Sequence, residues 1–282
     1  ALKSERSQLY KDFYRGTYDS IDTIFEWESL PFITREFLQP YPFHKRIFIP
    51  YETISVIRIT SGTSGKGVFA VPRNAPQKYK ELFVPYSLLT FERPLHTVTE
   101  TLLGLTDKVK PVICGDTQNI EQSVSMAATV GVEALEYPAS LIPALRPFIS
   151  KYNLSEKIKV VIPTGERISP EQLDMTRELF PNAEVKILYG ASELHGIAGI
   201  WPGQNYSPDI FSPQETHYFE VIDDNGEVMR EEGKTGELII TTLLTPTLAM
   251  PLLRYKIGDM AKIVKWHEDP QKRTRQSQSG RW

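Results

Sequence analysis

Apolar and polar positions alternate along the chain in two different periods, and these periods predict its elements. Residues 54–59 (ISVIRI) alternate with β-branched side chains and predict a strand. The polar, glycine-rich residues 60–67 (TSGTSGKG) follow, and the apolar residues 68–71 predict a second strand. Nearer the N-terminus, Thr34 is placed to cap a short helix over residues 35–38.

The middle of the chain repeats a rhythm of strand and helix. Strands are predicted at residues 111–114, 132–137, 159–162 and 184–188, and helices at residues 119–129, 140–151 and 170–179, the last capped by Ser169. Strands that alternate with helices favour a parallel sheet, whose ligands lie beyond the carboxyl ends of the strands. We therefore expect the chemistry in the loops that follow Ile162 and Leu188.

The last part of the chain is rich in short strands and turns. Residues 217–222 and 236–242 predict strands, and Asp224-Asn225-Gly226 between them is a hairpin signal. The predicted fold class is α/β, with mixed, largely parallel sheets, flanking helices and a smaller β-rich subdomain. The expected division is a leading N-terminal segment at residues 1–50, an α/β core at 51–205 and the β-rich subdomain at 206–282.

Composition removes several classes of function. The chain of 282 residues has 32 Lys and Arg against 35 Asp and Glu, a net charge of −3, so we expect no nucleic-acid partner. Its apolar runs are shorter than a membrane span, so we expect no membrane partner. We expect a cytoplasmic location. The single cysteine, Cys114, allows no internal disulfide and is expected to be a small buried hydrophobe.

The glycine-rich residues 60–67 have the composition of a phosphate-binding loop. Glycines let backbone N–H groups turn toward an anion, hydroxyls add donors, and Lys66 supplies a positive charge. It is not a Walker loop, because Thr60 and Gly67 stand where that motif needs Gly and Ser or Thr. Taken alone, the segment is more typical of an ordinary flexible turn.

Further motifs follow this loop in a fixed order. They are PTGERI at 163–168, YGASE at 189–193, GELIITT at 236–242 and PLLRYKIGD at 251–259. With them the sequence resembles the acyl-adenylate-forming superfamily of acyl-CoA synthetases, luciferases and peptide-synthetase adenylation domains. Within it, LPFIT at 30–34, residues 111–145 and MPLLRY at 250–255 look like phenylacetate-CoA ligases. The resemblance covers about residues 13–281, and it implies that the α/β core binds ATP and an acid.

The resemblance implies ATP, retained as AMP, and Mg²⁺ as cofactors. Lys66 and its loop would hold the β- and γ-phosphates, Ser192 would contact the α-phosphate, and Glu193 would hold Mg²⁺. These three residues are the catalytic candidates. The nucleotide-binding candidates are Thr60, Ser61, Gly62, Thr63, Ser64, Gly65, Lys66, Gly165, Glu166, Arg167, Tyr189, Gly190, Ala191, Ser192, Asp259 and Arg281.

The same resemblance implies which residues contact the adenine base and the ribose of the nucleotide. Tyr189 would stack on adenine, with the turn at residues 165–167 on the other side of the base. Asp259, which ends a strand-like run after Gly258, would accept the ribose hydroxyls. Arg281 matches the start of the family's hinge, and Ile257 replaces the Thr or Ser that the family usually carries.

The phenylacetate-like motifs imply that the acid substrate is small and aromatic, and its identity stays open. The substrate candidates are Tyr137, Pro138, Ala139, Gly190, Ala191 and His195. The first three lie in a segment beside the family's acyl pocket, and Gly190 with Ala191 would form the pocket floor. His195 has the alternative of a structural histidine.

The function implied is ATP-dependent activation of a carboxylic acid to an acyl-adenylate, followed by transfer to CoA, as in an acid–thiol ligase. Two alternatives are open: a nucleotide- or acyl-binding protein with impaired catalysis, and an adenylating enzyme that passes the acyl group to an amine or a carrier protein. The family's mobile C-terminal domain is expected to lie outside this sequence, and with it the second half-reaction. The oligomeric state is open, with a homodimer as one alternative.

Overall fold

The computed structural model describes most of the chain, and its elements follow the predicted order. It covers residues 8–15, 23–59, 68–72, 86–91, 111–194, 196–214, 216–243 and 249–266. The helices are α1 (Gln8–Phe13), α2 (Ile24–Glu28), α3 (Arg35–Leu38), α4 (Phe43–Arg46), α5 (Ile120–Val130), α6 (Ile142–Lys151) and α7 (Pro170–Leu179), with 3₁₀ turns at Tyr51–Thr53, Ala139–Leu141 and Ser192–Leu194. None of the helices in these ranges combines the length and apolar character that crossing a membrane requires.

The strands fall into parallel and antiparallel groups. They are β1 (Ile54–Ile59), β2 (Val68–Pro72), β3 (Leu88–Thr90), β4 (Val112–Cys114), β5 (Ala134–Pro138), β6 (Val160–Thr164), β7 (Glu184–Val185), β8 (Leu188–Ala191), β9 (Gly196–Ile200), β10 (Ser212–Pro213), β11 (His217–Ile222), β12 (Thr235–Thr242) and β13 (Tyr255–Lys262). The predicted strands on both sides of the glycine-rich loop are confirmed, because β1 and β2 form an antiparallel pair.

The chain divides into two compact units. The α/β unit comprises Gln77–Ala191 and His195–Phe211, and the β-rich unit comprises Ala1–Pro76, Ser192–Leu194 and Ser212–Trp282. The division predicted after residues 50 and 205 stays a prediction.

A parallel five-stranded sheet forms the centre of the α/β unit, in the order β4-β3-β5-β6-β7. Leu135 and Val161 point to the face that packs with Val124 of α5 and Leu145 of α6, all of them at most 1% exposed. This confirms the predicted α/β class. The short strand β3 inside the sheet was not predicted, since three residues are too few to show a period, yet β3 pairs in parallel with both β4 and β5.

The strand predicted at residues 184–188 is wrong in its second half. β7 ends after two residues, and the Lys186 N–H still donates to the Val161 carbonyl of β6 at 2.9 Å. The carbonyl of Ile187 instead accepts a hydrogen bond from the Trp201 N–H at 2.9 Å. The chain therefore leaves the parallel sheet at this point, and β8 pairs antiparallel with β9.

An antiparallel sheet in the order β11-β12-β13 forms the centre of the β-rich unit. The predicted turn after β11 is confirmed, because the Gly226 N–H donates to the Asp223 carbonyl at 3.0 Å and Gly226 has a φ of +84°. That positive φ explains the glycine.

Side-chain capping sets the starts of two predicted helices. Thr34 accepts from the Phe37 N–H at 3.2 Å at the start of α3. Ser169 and Gln172 form a reciprocal capping box at the start of α7. The expectation for Cys114 is wrong: it ends an edge strand and is exposed.

A buried ion pair ties the N-terminal segment to the β-rich sheet. Arg254 is 1% exposed, and its Nη2 lies 2.8 Å from Oε1 of Glu220, which is fully buried. The same guanidinium donates through Nη1 to the carbonyls of Glu28 and Leu30. Burial raises the pKa of Glu220, and the charge of Arg254 opposes that rise.

Candidate active site

The loop after β6 carries the turn predicted to line the adenine base. Gly165 has a φ of +77°, which an L side chain rarely adopts, and the loop is exposed. Oε1 of Glu166 accepts from the Ser140 N–H, which brings this loop against the segment after β5. Nη2 of Arg167 lies 2.7 Å from Oδ2 of Asp209. Two of the predicted regions of the α/β unit are thus in contact.

Tyr137 is held in the core of the α/β unit. Its side chain is fully buried, and its hydroxyl lies 2.8 Å from Oγ1 of Thr176. Since Thr176 donates its own hydrogen to the Gln172 carbonyl, Tyr137 is the donor. Burial raises the pKa of Tyr137 far above its ordinary value. Because the ring and hydroxyl are occupied in this way, the predicted substrate contact of Tyr137 would have to come from its backbone.

Pro138 and Ala139 follow Tyr137 at the carboxyl end of β5. Pro138 is half-buried, whereas Ala139 is fully buried in a second cluster with Ile168 and Trp201. Pro138 is therefore the member of this predicted trio whose side chain is partly accessible.

Tyr189 lies inside β8 rather than at the end of a predicted strand. Its partner across the β8–β9 ladder is Gly199, which contributes no side chain, and a bulge follows between Tyr189 and Gly190. The Tyr189 ring is half-buried and lies 5.6 Å from the ring of Phe211. Gly190 is exposed and Ala191 half-buried. A bulge re-aims neighbouring side chains, a device that is common beside active sites.

Glu193 is paired with an arginine that the sequence did not suggest. It lies in the 3₁₀ turn that follows β8 directly, and it is 8% exposed. Nη2 of Arg35, at the start of α3, lies 2.5 Å from Glu193 Oε1, and the two side chains are 23% and 10% exposed. Burial alone would lower the pKa of Arg35, but the hydrogen bond and charge of Glu193 outweigh that effect and raise it.

Tyr255 completes this cluster at the start of β13. It is 3% exposed and its side chain also interacts with Arg35. Burial, and then the negative charge of Glu193, raise the pKa of Tyr255 to about 12, so that its hydroxyl stays protonated at neutral pH. The Glu193 carboxylate thus lies beside the Arg35 guanidinium, with which the Tyr255 side chain also interacts.

His217 holds the same 3₁₀ turn from the other direction. Its Nε2 lies 3.1 Å from the Leu194 carbonyl and its Nδ1 lies 2.9 Å from the Thr216 hydroxyl. Burial lowers the pKa of His217 to about 4, so the ring is neutral at physiological pH and donates from Nε2 to the carbonyl.

The depressed pKa of His217 predicts how its contribution to stability changes with pH. An unfolded histidine takes up its proton near pH 6.5, whereas the folded one does so only near pH 4, so this stabilisation is complete above pH 6.5 and is lost as the pH falls to 4. His217→Gln keeps an amide donor. Between pH 6.5 and pH 4 its free energy of unfolding should fall by roughly 3 kcal/mol less than that of the wild type. Urea denaturation at pH 7, 5.5 and 4 measures this; parallel curves for the two proteins would contradict it.

Asp259 lies on a bulge of β13. Lys256 pairs with Ile239 and Met260 with Glu237, so three residues of β13 face one residue of β12. Gly258 within this bulge has a φ of +92°, and Asp259 is exposed. The run predicted to end at Asp259 therefore continues to Lys262, and the bulge rather than a strand end presents the carboxylate.

Several predicted residues lie outside what the structure describes. They are Thr60, Ser61, Gly62, Thr63, Ser64, Gly65, Lys66, His195, Arg281 and the side chain of Ser192. Their roles stay predictions.

Comparison with known proteins bears on the fold. No family model matches the sequence, and no curated protein matches it. Among solved structures, an open conformation of 2-hydroxyisobutyryl-CoA ligase in complex with 2-HIB-AMP and CoA is 18% identical, with a TM-score of 0.75 over 94% of this chain and 67% of that one. The same ligase in its thioesterification state is 19% identical, with a TM-score of 0.76 over 96% and 62%.

Two further structures show the same likeness over a smaller part of the chain. The long-chain-fatty-acid-CoA ligase FadD1 from Archaeoglobus fulgidus is 16% identical, with a TM-score of 0.61 over 76% of this chain and 50% of that one. A luciferase-like enzyme from the mealworm Zophobas morio is 18% identical, with a TM-score of 0.59 over 81% and 60%. This chain thus spans between half and two-thirds of the length of these proteins.

The structures bear out the resemblance drawn from the motifs at the level of fold, while the phenylacetate-CoA ligase branch stays a prediction. A parallel sheet flanked by helices, accompanied by antiparallel sheets, is common to this chain and to those enzymes. The chain therefore has the fold of the N-terminal domains of acyl-adenylate-forming enzymes.

Proposed function

We propose that this chain activates a small, aromatic carboxylic acid with ATP to give an acyl-adenylate and pyrophosphate, and that the acyl group then passes to CoA. The observation that carries the proposal is the likeness over 94% of the chain to a ligase solved with an acyl-adenylate and CoA. The ordered motifs of the sequence support it independently, because they include the YGASE segment on β8 and the following turn.

The reaction joins two negatively charged reactants. A carboxylate oxygen attacks the α-phosphorus of ATP, a new phosphorus–oxygen bond forms, and the bond to pyrophosphate breaks. The residues must therefore neutralise charge and hold the reactants in line. Lys66 and its loop would serve the terminal phosphates, Ser192 the α-phosphate, Tyr189 the adenine and Asp259 the ribose.

Glu193 has the chemistry of a Mg²⁺ ligand. It offers a hard carboxylate oxygen in a largely buried position, and among the described residues its one hydrogen-bond partner is Arg35, on Oε1. Mg²⁺ commonly takes one or two protein carboxylates and completes its octahedron with water and phosphate oxygens. Bound there, the ion would neutralise charge on the phosphates.

Exchange of labelled pyrophosphate into ATP, measured with the full-length protein, tests the proposal. A panel of aromatic and aliphatic acids should include at least one that drives exchange, with CoA needed only for thioester formation. Exchange with thioester formation supports the ligase. Exchange with acyl transfer to an amine or carrier protein, but not to CoA, would contradict the proposal that CoA is the acceptor. ATP binding without exchange for any acid would contradict the proposal that the protein is an adenylating enzyme.

Tyr189 should matter through its ring and not through its hydroxyl. Stacking of a base on an aromatic side chain contributes about 1–3 kcal/mol, so Tyr189→Ala should weaken ATP binding by roughly 5- to 150-fold. Tyr189→Phe should change it less than about twofold. Isothermal titration of both variants measures this; equal losses in the two would show that the hydroxyl, not stacking, is responsible.

A further inference from the structure

Arg35 bonds one oxygen of the Glu193 carboxylate, and among the residues that the structure describes the other oxygen has no hydrogen-bond partner. Nη2 of Arg35 donates to Glu193 Oε1 at 2.5 Å. Within the described ranges, no hydrogen bond joins Glu193 Oε2 to another residue. The two side chains are 23% and 10% exposed, so solvent screens this pair less than a surface ion pair.

The surroundings of the pair restrict its movement. Arg35 is the first residue of α3, whose start Thr34 caps, and Tyr255 interacts with the guanidinium from β13. On the carboxylate side, His217 bonds the carbonyl of Leu194, next to Glu193. Both partners therefore extend from backbone that is itself held by hydrogen bonds.

A carboxylate with one oxygen hydrogen-bonded to a guanidinium presents mainly its other oxygen to a cation, because the guanidinium occupies one lone pair and its positive charge repels a cation on that side. Mg²⁺ demands near-octahedral geometry at about 2.0–2.1 Å, which suits a single carboxylate oxygen. Ca²⁺ is larger, takes 6–8 oxygens in flexible geometry and readily uses both oxygens of one carboxylate. Blocking one oxygen thus disfavours Ca²⁺ more than Mg²⁺.

We propose that Arg35 is a positioning residue that makes Glu193 a single-oxygen ligand and so selects Mg²⁺ over Ca²⁺ on bound ATP. The inference rests on the proposed function, since it takes Glu193 as the residue that meets the metal of the nucleotide. In this role Arg35 contacts neither the nucleotide nor the acid and acts through Glu193.

The test compares the dissociation constants of MgATP and CaATP by isothermal titration, and it needs no turnover. Arg35→Met keeps an unbranched side chain that replaces the aliphatic stem of arginine but has no donor, and Arg35→Lys keeps a cationic donor. Lys234→Gln is the matched control, because it removes one positive charge from an exposed ion pair with Glu231 in the same unit.

Arg35→Met should lower the ratio of the CaATP to the MgATP dissociation constant by at least about threefold. Lys234→Gln should keep the wild-type ratio, and Arg35→Lys should lie between wild type and Arg35→Met. A purely structural role would weaken both complexes equally, so an unchanged ratio in Arg35→Met overturns the inference. If the wild type binds MgATP but Arg35→Met has the wild-type ratio, the inference is contradicted and the proposed function stands. If the wild type binds no MgATP, the inference and the proposed function are both contradicted.

Discussion

Glu193→Gln is expected to reduce acid-dependent exchange of pyrophosphate into ATP by at least about a hundredfold. Glutamine keeps the size of the side chain and an oxygen for Arg35, which bonds Glu193 at 2.5 Å, but it removes the negative charge that a metal-bound triphosphate needs. Exchange is measured in the full-length protein at saturating ATP and acid, with the thermal unfolding midpoint recorded in parallel.

Glu231→Gln is the matched control, because Glu231 is 77% exposed in an ion pair with Lys234. It should keep wild-type exchange. Glu193→Ala and Lys66→Ala should abolish exchange as well. Undiminished exchange in a folded Glu193 variant would contradict the metal role assigned to this residue.

Arg254→Met is expected to lower the free energy of unfolding by about 3–5 kcal/mol. The substitution leaves the fully buried Glu220 without its counter-ion and removes the donors to the carbonyls of Glu28 and Leu30. Arg254 has a φ of +45°, and methionine has no branched Cβ that would add backbone strain there. Urea denaturation at pH 7 measures the change.

Two further variants separate the buried charge from the loss of packing. Arg254→Met combined with Glu220→Gln should recover at least about 1 kcal/mol, because the uncompensated charge is gone. Lys234→Gln, in an exposed pair, should cost less than about 1 kcal/mol. A single Arg254 variant as stable as wild type would contradict the structural role of the pair.

Periodicity predicted the α/β unit well because its strands and helices bury one face each. The capping of α3 by Thr34 and of α7 by Ser169 was also readable, since a cap depends on residues three positions apart. The break after β7 was not readable, because Glu184 to Ile187 alternate as in a continuous strand. What ends β7 is the competing hydrogen bond from Trp201, which is remote in sequence.

The site was predicted less completely than the fold. Motifs indicated where Glu193 and Tyr189 lie, but Arg35 is 158 residues from Glu193, and such a pairing leaves no local pattern. The direction of Tyr137 could have been predicted from alternation in β5, because it shares a face with the core residue Leu135. For Asp259 the bulge around Gly258 was hidden, since a positive φ at one glycine changes no period.

The central claim is that the acid attacks the α-phosphorus of ATP. Incubating the full-length protein with ATP, Mg²⁺, CoA and an acid labelled with ¹⁸O in both carboxylate oxygens tests it most directly, with the products read by mass spectrometry. Attack on the α-phosphorus predicts AMP that carries one ¹⁸O and pyrophosphate that carries none. ADP together with labelled inorganic phosphate would instead show attack on the γ-phosphorus, and would contradict the account.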